Sequence, residues 1–260
     1  MREPTFVIGG GQRCGTTWLY HLLDEHPQIY LAKPVRPEPK FFIHEPAPGR
    51  DMDWYLKTWF ADAGDEPAVG EKSTAYLDNA QAPRRMKRML ADLKVLFILR
   101  HPVDRAISNY RFSRQNGRES ESLQYALDHE PQRLAQPMPE GVSSHPQAYL
   151  ARGHYAGYIE RYLDCFGPSQ VMVLIKERLD DEPEAALDPV WRFLGVDRFE
   201  PHGIDRARNV TARDDLTLGC SLAADLLKTF ESSNRRLERL VGCDVRHWDE
   251  PSAMMLQMSN

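Results

Sequence analysis

The 260-residue sequence has no long hydrophobic run and no clustered cysteines. The apolar run "VLFIL" is far shorter than the roughly 20 residues of a membrane-spanning helix, so we predict no membrane span. The run before the first glycines is also too short for a signal peptide. The four cysteines are scattered, without metal-ligand or paired spacing. These features predict a reduced, cytoplasmic protein with no metal site.

The sequence also lacks a positive charge excess, because its formal net charge is −5 at pH 7. A chain with a net negative charge has no overall positive electrostatic field that would attract nucleic acid, and we predict no nucleic-acid partner. Its length suits a single domain, which we place over residues 1–260. Nothing in the sequence indicates an oligomeric state.

Short apolar segments alternate with helical patterns along the chain. Strands are predicted at Thr5–Ile8, Ile29–Ala32, Lys94–Leu99 and Val171–Ile175. Helices are predicted at Thr16–His26, Asp51–Phe60, Gln147–Phe166, Glu184–Leu194 and Leu216–Val241. This alternation predicts an α/β fold, a single P-loop-like domain with a central parallel sheet flanked by helices on both faces.

A glycine-rich loop joins the first strand to the first helix in "TFVIGGGQRCGTTWLYHLL". Gly10 and Gly15 have the spacing of a phosphate-binding loop, G-x-x-x-x-G-K-[ST], but Thr16 occupies the lysine position. Backbone N–H groups and the positive end of a helix favour a bound anion at such a loop. The loop therefore predicts a phosphate or sulfate site whose cation is not the usual lysine.

A magnesium-dependent kinase or nucleotide triphosphatase requires that lysine and an acidic residue after a buried strand. Here the strands run into Arg100 and Lys176 instead. Arg13 lies in the loop and Lys72 follows a strand-like segment, so cations gather at the sheet edge where α/β proteins bind ligands. The kinase and a non-catalytic nucleotide-binding module remain as alternatives to a metal-free anion site.

The same segments resemble the sulfotransferases that use 3′-phosphoadenosine 5′-phosphosulfate (PAPS). "GGGQRCGTTWLYHLL" is similar to their 5′-phosphosulfate loop, and "LFILRHPVDRAISNYRF" to their 3′-phosphate motif. "EPKFF", "GEKSTAYL", "ARGHYAGYIERYLDCFG" and "FLGV" extend the match in order, in a pattern closest to heparan-type and bacterial carbohydrate members. The resemblance implies a sulfotransferase with PAPS as co-substrate and no metal, transferring a sulfuryl group to an acceptor hydroxyl.

The resemblance also implies roles for individual residues. Glu38 matches the general base, with His44 as the alternative base, and Lys72 matches the lysine near the transferred group. Arg100 and Ser108 match the pair that holds the 3′-phosphate. Residues of the 5′-phosphosulfate loop are expected to bind the donor: Gly11, Gln12, Arg13, Cys14, Gly15, Thr16 and Thr17. Arg13, where many relatives have a lysine, is also expected to act in catalysis.

Two polar, proline-bearing stretches, Lys33–Arg50 and Glu130–Pro146, are expected to select the acceptor, since loops vary most freely. The candidates are a sugar, a glycolipid, a natural product or a peptide tyrosine, and an amine stays open. The aromatic side chains Trp54, Tyr55 and Trp59 follow the first stretch. They are either core residues or a platform for the acceptor.

Overall fold

The computed structural model describes residues 2–203, 216 and 218–258. Its strands form one five-stranded sheet in the order β2-β3-β1-β4-β5, and every neighbouring pair is parallel. The strands are β1 (Phe6–Gly10), β2 (Ile29–Leu31), β3 (Ala68–Lys72), β4 (Lys94–Leu99) and β5 (Val171–Ile175). The predicted parallel α/β fold is confirmed.

Eleven α-helices lie among the described residues. They are α1 (Thr16–Asp24), α2 (Met52–Trp59), α3 (Ala82–Met89), α4 (Pro102–Gln115), α5 (Leu123–Asp128), α6 (Glu130–Leu134), α7 (Tyr155–Phe166), α8 (Lys176–Asp181), α9 (Pro183–Leu194), α10 (Cys220–Val241) and α11 (Ala253–Met258). None of the helices in this part of the chain is both long and apolar enough to cross a membrane.

Several predicted boundaries are shifted, and the two described next are instructive. The helix predicted over Gln147–Phe166 begins only at Tyr155, after a 3-10 turn over Ala151–Gly153. A Cβ at Gly153 would collide with the ring of Phe230, so the chain makes a close approach there that periodicity does not reveal. The polar stretch Glu130–Pro146 starts with α6, whose first turn holds a proline.

The chain divides into two compact units, each made of two segments. The first unit combines Met1–Leu99 with Arg161–Arg208 and contains all five strands. The second combines Arg100–Glu160 with Asn209–Asn260. The single domain over residues 1–260 stays a prediction.

In the first unit, the sheet places the ends of β1 and β3 side by side. All residues of both strands are buried, so alternate side chains are covered on the two faces of the sheet. Ile8 pairs with Lys72 across this ladder. From β1 the chain first builds β2 and β3 on one side and then β4 and β5 on the other. The loop after β1 therefore lies at the topological switch point, where open α/β sheets bind ligands.

The second unit has a core of its own, built from helices. Val103, Ile107 and Tyr110 of α4 pack with Leu226 and Phe230 of α10 in one buried cluster. This cluster gives α4 a fixed environment, which matters because α4 carries Ser108.

Candidate active site

The glycine loop turns sharply between β1 and α1. The N–H of Gly11 donates to the carbonyl of Ile98 at 2.8 Å, and the N–H of Cys14 donates back to the carbonyl of Gly11 at 3.2 Å. Arg13 (φ 68°) and Gly15 (φ 95°) both adopt left-handed backbone conformations. The loop is thus shaped mainly by its own backbone.

The glycines at the start of this loop, Gly10 and Gly11, leave no room for a side chain. A Cβ on Gly10 would lie 2.9 Å from the Cβ of Leu77 and 3.1 Å from the carbonyl of Thr74, and Gly10 has φ +141°. A Cβ on Gly11 would lie 3.1 Å from the Sγ of Cys14. Only glycine fits at Gly10 without strain, which leaves the loop backbone open to a ligand.

The start of α1 is electrostatically suited to an anion. Its first turn contains no acidic residue, and its N-cap is Gly15, which has no side chain to accept from the helix. The first N–H groups of a helix lack intrahelical acceptors and lie at its positive end. Thr16 is buried and Thr17 is half-buried. The loop and helix start therefore suit a bound anion such as a phosphate or sulfate group.

The structure brings Glu38 and Lys72 together. The ammonium group of Lys72 forms an ion pair with Oε1 of Glu38, and the side chains are only 2% and 12% exposed. The backbone N–H of Thr74 donates to Oε2 of Glu38 at 3.0 Å. The hydroxyl of Thr74 lies within 3.0 Å of Oε2 and 3.2 Å of Oε1. Three donors thus fix the orientation of this carboxylate.

A second carboxylate, Glu71, lies completely buried beside this pair. Its Oε1 accepts from the Tyr76 hydroxyl at 2.5 Å and from the Tyr55 hydroxyl at 3.4 Å, and its Oε2 accepts from Ser73 at 2.8 Å. Burial raises the pKa of Glu71 to about 7, although the bonds from Tyr76 and Ser73 oppose that shift and the charge of Glu38 adds to it.

The segment from Glu38 to Ile43, which we call the base loop, packs on this network. The N–H of Lys40 donates to the Ser73 hydroxyl at 2.8 Å. Its two phenylalanines are buried, and the ring of Phe41 stacks on that of Tyr55 with centroids 4.3 Å apart. Tyr55 is therefore a core residue, whereas Trp54 is half-buried and has the Arg50 guanidinium over its ring at 4.9 Å.

The alternative base, His44, has a different environment. It is exposed and follows the 3-10 turn over Phe41–Ile43. Glu38 is nearly buried and is held by Lys72, so its position is far better defined. Within the described residues, no group of three or more histidine, cysteine or acidic side chains is arranged to hold a metal ion.

Arg100 and Ser108 belong to the second unit. The guanidinium of Arg100 lies 3.3 Å from Asp104, one turn along α4, and the Arg100 carbonyl accepts from the Tyr155 hydroxyl at 2.9 Å. Ser108, a further turn along, is buried. Arg100 is thus held in place by Asp104, and its proposed contact with the 3′-phosphate stays a prediction.

Several residues around the site escaped the sequence analysis. Thr74 and Ser73 stand in "EKSTAYL", where a run of polar residues at the end of a buried strand was the available signal. Lys176, which follows β5, passes its side chain about 3.5 Å from where a Cβ of Gly15 would lie and pairs with Asp180. The sequence already placed Lys176 among the cations that follow the strands, but it did not show that this side chain reaches the glycine loop.

Comparisons of the sequence with known proteins identify the family. Residues 3–213 match the family described as "Sulfotransferase domain". The human bifunctional heparan sulfate N-deacetylase/N-sulfotransferase 2 is 27% identical over 222 residues, covering 84% of this chain and 24% of that protein. The mouse N-deacetylase/N-sulfotransferase 1 is 34% identical over 200 residues, covering 75% of this chain and 22% of that protein. The chain spans about a quarter of the length of the curated relatives it matches.

Solved structures show the same relationship. A sulfotransferase from Alicyclobacillus acidocaldarius has 31% identity and a TM-score of 0.81, and the match covers 96% of this chain and all of that one. Mouse sulfotransferase SULT7A1, solved with PAP, has 16% identity and a TM-score of 0.52 over 99% of this chain and 88% of that one, a likeness of fold. The predicted resemblance is confirmed, and the kinase alternative finds no support: this chain belongs to the sulfotransferase family.

Proposed function

We propose that this chain transfers the sulfuryl group of PAPS to a hydroxyl of a carbohydrate acceptor, with Glu38 as the general base. The observation that carries the proposal is the Glu38 carboxylate, held by Lys72 and Thr74 at the end of β3. The acceptor oxygen would attack sulfur while the bond from sulfur to the 5′-phosphate oxygen breaks. Glu38 would take the acceptor proton, and 3′,5′-adenosine diphosphate (PAP) would leave.

The cations have a distinct part in this scheme. Sulfuryl transfer offers the protein little covalent work, so alignment and charge stabilisation carry most of the catalysis, as in phosphoryl transfer. Lys72 is buried beside Glu38, where its charge would stabilise the negative charge that develops on the transferred group. Arg13 would do the same from the glycine loop. None of these steps requires a metal, and metal independence is part of the proposal.

Two observations support a carbohydrate as the acceptor: the names of the relatives and one feature of the protein surface. The relatives are named as heparan sulfate enzymes, so they act on a polysaccharide. Trp54 and Arg50 form a half-exposed aromatic–cation pair just beyond the base loop, a combination suited to an anionic sugar. An amine acceptor is the second candidate, because those relatives are N-sulfotransferases by name.

The transfer step is tested with radiolabelled PAPS and a glucosamine–uronic acid oligosaccharide carrying free hydroxyl and amino groups, in EDTA. Glu38→Gln should lower kcat by roughly 10²–10⁴-fold, the usual contribution of a positioned base. The matched control is Glu45→Gln, since Glu45 is an exposed glutamate seven residues away that pairs with Arg85 and Arg88. Equal transfer by both variants would exclude Glu38 as the base. Mapping the labelled position separates O- from N-sulfation.

The donor is tested separately by calorimetric titration with PAP in EDTA, beside ATP with magnesium. We expect metal-independent PAP binding that weakens about 10- to 100-fold in Arg100→Ala, the loss typical of one charge-assisted contact. Binding of ATP only, and only with magnesium, would contradict the PAPS proposal. An unchanged PAP affinity in Arg100→Ala would contradict the assignment of the 3′-phosphate contact.

A further inference from the structure

The hydrogen bonds around Glu71 have a defined direction. An ionised carboxylate only accepts, so the single hydrogens of the Ser73 and Tyr76 hydroxyls both point to Glu71. Each hydroxyl oxygen is then left as an acceptor for other groups. Ser73 accepts the N–H of Lys40 at 2.8 Å, and Tyr76 lies 3.5 Å from the N–H of Phe42.

These two N–H groups belong to the base loop, two and four residues after Glu38. Lys40, the first of the two residues, has φ 51°, a left-handed conformation that a lysine adopts only when its surroundings hold it there. The Ser73 hydroxyl accepts the N–H of this residue and so contributes to holding it. The carboxylate of Glu71 thus reaches the base loop through two intermediate hydroxyls, those of Ser73 and Tyr76.

We propose that Glu71 is a positioning residue for sulfuryl transfer, which orients the Ser73 and Tyr76 hydroxyls so that they hold the base loop and, with it, Glu38. The proposal rests on the proposed role of Glu38 as base. Glu71 is fully buried, and it acts through its hydroxyl partners rather than on a substrate.

Protonation of Glu71 would disturb this arrangement. A neutral carboxyl group has its own hydrogen to donate, so one of its three hydroxyl partners, Ser73, Tyr76 or Tyr55, must accept that hydrogen and turn its own away. Where that partner is Ser73 or Tyr76, the geometry of its contact with the base loop changes. The pKa of Glu71, raised to about 7 by burial, puts this change near neutral pH. The titratable and charged groups that face Glu71 are Lys72, Glu38, Tyr55, Tyr76 and Tyr162.

The test uses Glu71→Gln, because an amide carries a donor and an acceptor as the protonated acid does. With labelled PAPS and the same oligosaccharide, kcat at pH 8 should fall about 10-fold, equivalent to one lost hydrogen bond, with KM for PAPS unchanged. At pH 6 the variant and the wild type should agree within about twofold. A step in the kcat profile near pH 7 should be present in the wild type and absent in the variant.

Ser73→Ala provides a second test, since it removes the hydroxyl that links Glu71 to Lys40 and keeps Glu71 itself. It should also lower kcat, and in its background Glu71→Gln should cost less than it does alone, because the two residues act on the loop in series. Additive losses would contradict a path through Ser73. Amide hydrogen exchange over residues 38–43 gives a readout without an acceptor: protection should fall in both variants and, in the wild type, below pH 7.

The outcomes distinguish this proposal from the function itself. If Glu38→Gln abolishes transfer while Glu71→Gln keeps the wild-type kcat, pH profile and exchange, only the positioning role is overturned. A Glu71→Gln variant that is merely less stable, with an unchanged pH profile and unchanged exchange in the base loop, also overturns it. PAP affinity should be the same in all these variants, which confirms that they are folded.

Discussion

The glycine loop and the base loop are the two loops of the proposed site, and they are built differently. The glycine loop is shaped largely by its own backbone, through the Cys14 N–H that donates to Gly11 and the left-handed Arg13 and Gly15, and one further bond ties Gly11 to Ile98 of β4. The base loop is held from outside, by groups of β3, of the turn that follows it and of α3. Fixed backbone dipoles are sufficient to bind an anion, whereas a general base must be oriented accurately towards the proton it takes. In the base loop, groups from a distant segment of the chain provide that orientation.

Of all the changes to either loop proposed in this section, replacement of Lys72 should reduce kcat the most. Lys72→Met leaves Glu38 with Thr74 alone and takes a buried positive charge away from the transferred group. We expect kcat to fall about 10²–10³-fold, the loss seen when one charge-stabilising group is removed. Lys57→Met is the control, since Lys57 pairs with Asp53 on the exposed face of α2. A kcat within twofold of wild type would exclude Lys72 from the chemistry.

The proton on Glu71 should affect stability as well as activity. Its folded-state pKa is raised from 4.5 to about 7, so its stabilising contribution is present below pH 4.5 and lost as pH rises through 7. The free energy of unfolding of the wild type relative to Glu71→Gln should therefore drop by on the order of 3 kcal/mol across that window. Urea unfolding at several pH values measures this difference. A pH-independent difference would contradict the raised pKa.

The glycine loop should respond to a single methyl group. Gly10→Ala combines a backbone angle of φ +141° with a Cβ placed 2.9 Å from Leu77, so we expect a loss of about 1–3 kcal/mol in unfolding free energy and weaker PAP binding. Gly49→Ala is matched, because Gly49 also has positive φ but open space around it. It should cost about 1 kcal/mol and leave PAP binding unchanged. Equal PAP affinities in the two variants would contradict a role of the glycine loop in binding PAP.

The smallest expected effect is that of removing the Thr74 hydroxyl while its backbone N–H stays in place. Thr74→Val keeps the N–H bond to Glu38 and removes the hydroxyl that approaches both carboxylate oxygens. The loss of one hydrogen bond predicts a kcat about 5-fold lower with the KM for PAPS unchanged. Thr58→Val, on an exposed position of α2, should have no effect. A larger change in KM than in kcat would place Thr74 in donor binding instead.

The sequence predicted the sheet better than it predicted the site. The strands at Lys94–Leu99 and Val171–Ile175 have the predicted bounds, because short apolar runs bounded by charge are strong local signals. The sequence also identified Glu38 and Lys72 as candidates. It did not reveal that Thr74, 36 residues from Glu38, supplies two of the three donors to its carboxylate.

The glycine loop was determined by the sequence itself, because positive φ angles and a helix start depend on residues that are neighbours in the chain. The positioning of the base was decided only by the tertiary structure. Glu71 reaches Lys40 through Ser73, which lies 33 residues from Lys40 in the sequence, and this path exists because β3 ends against the base loop. A buried carboxylate with several possible hydroxyl partners has no sequence signature, since burial and partner choice arise only when the chain is packed.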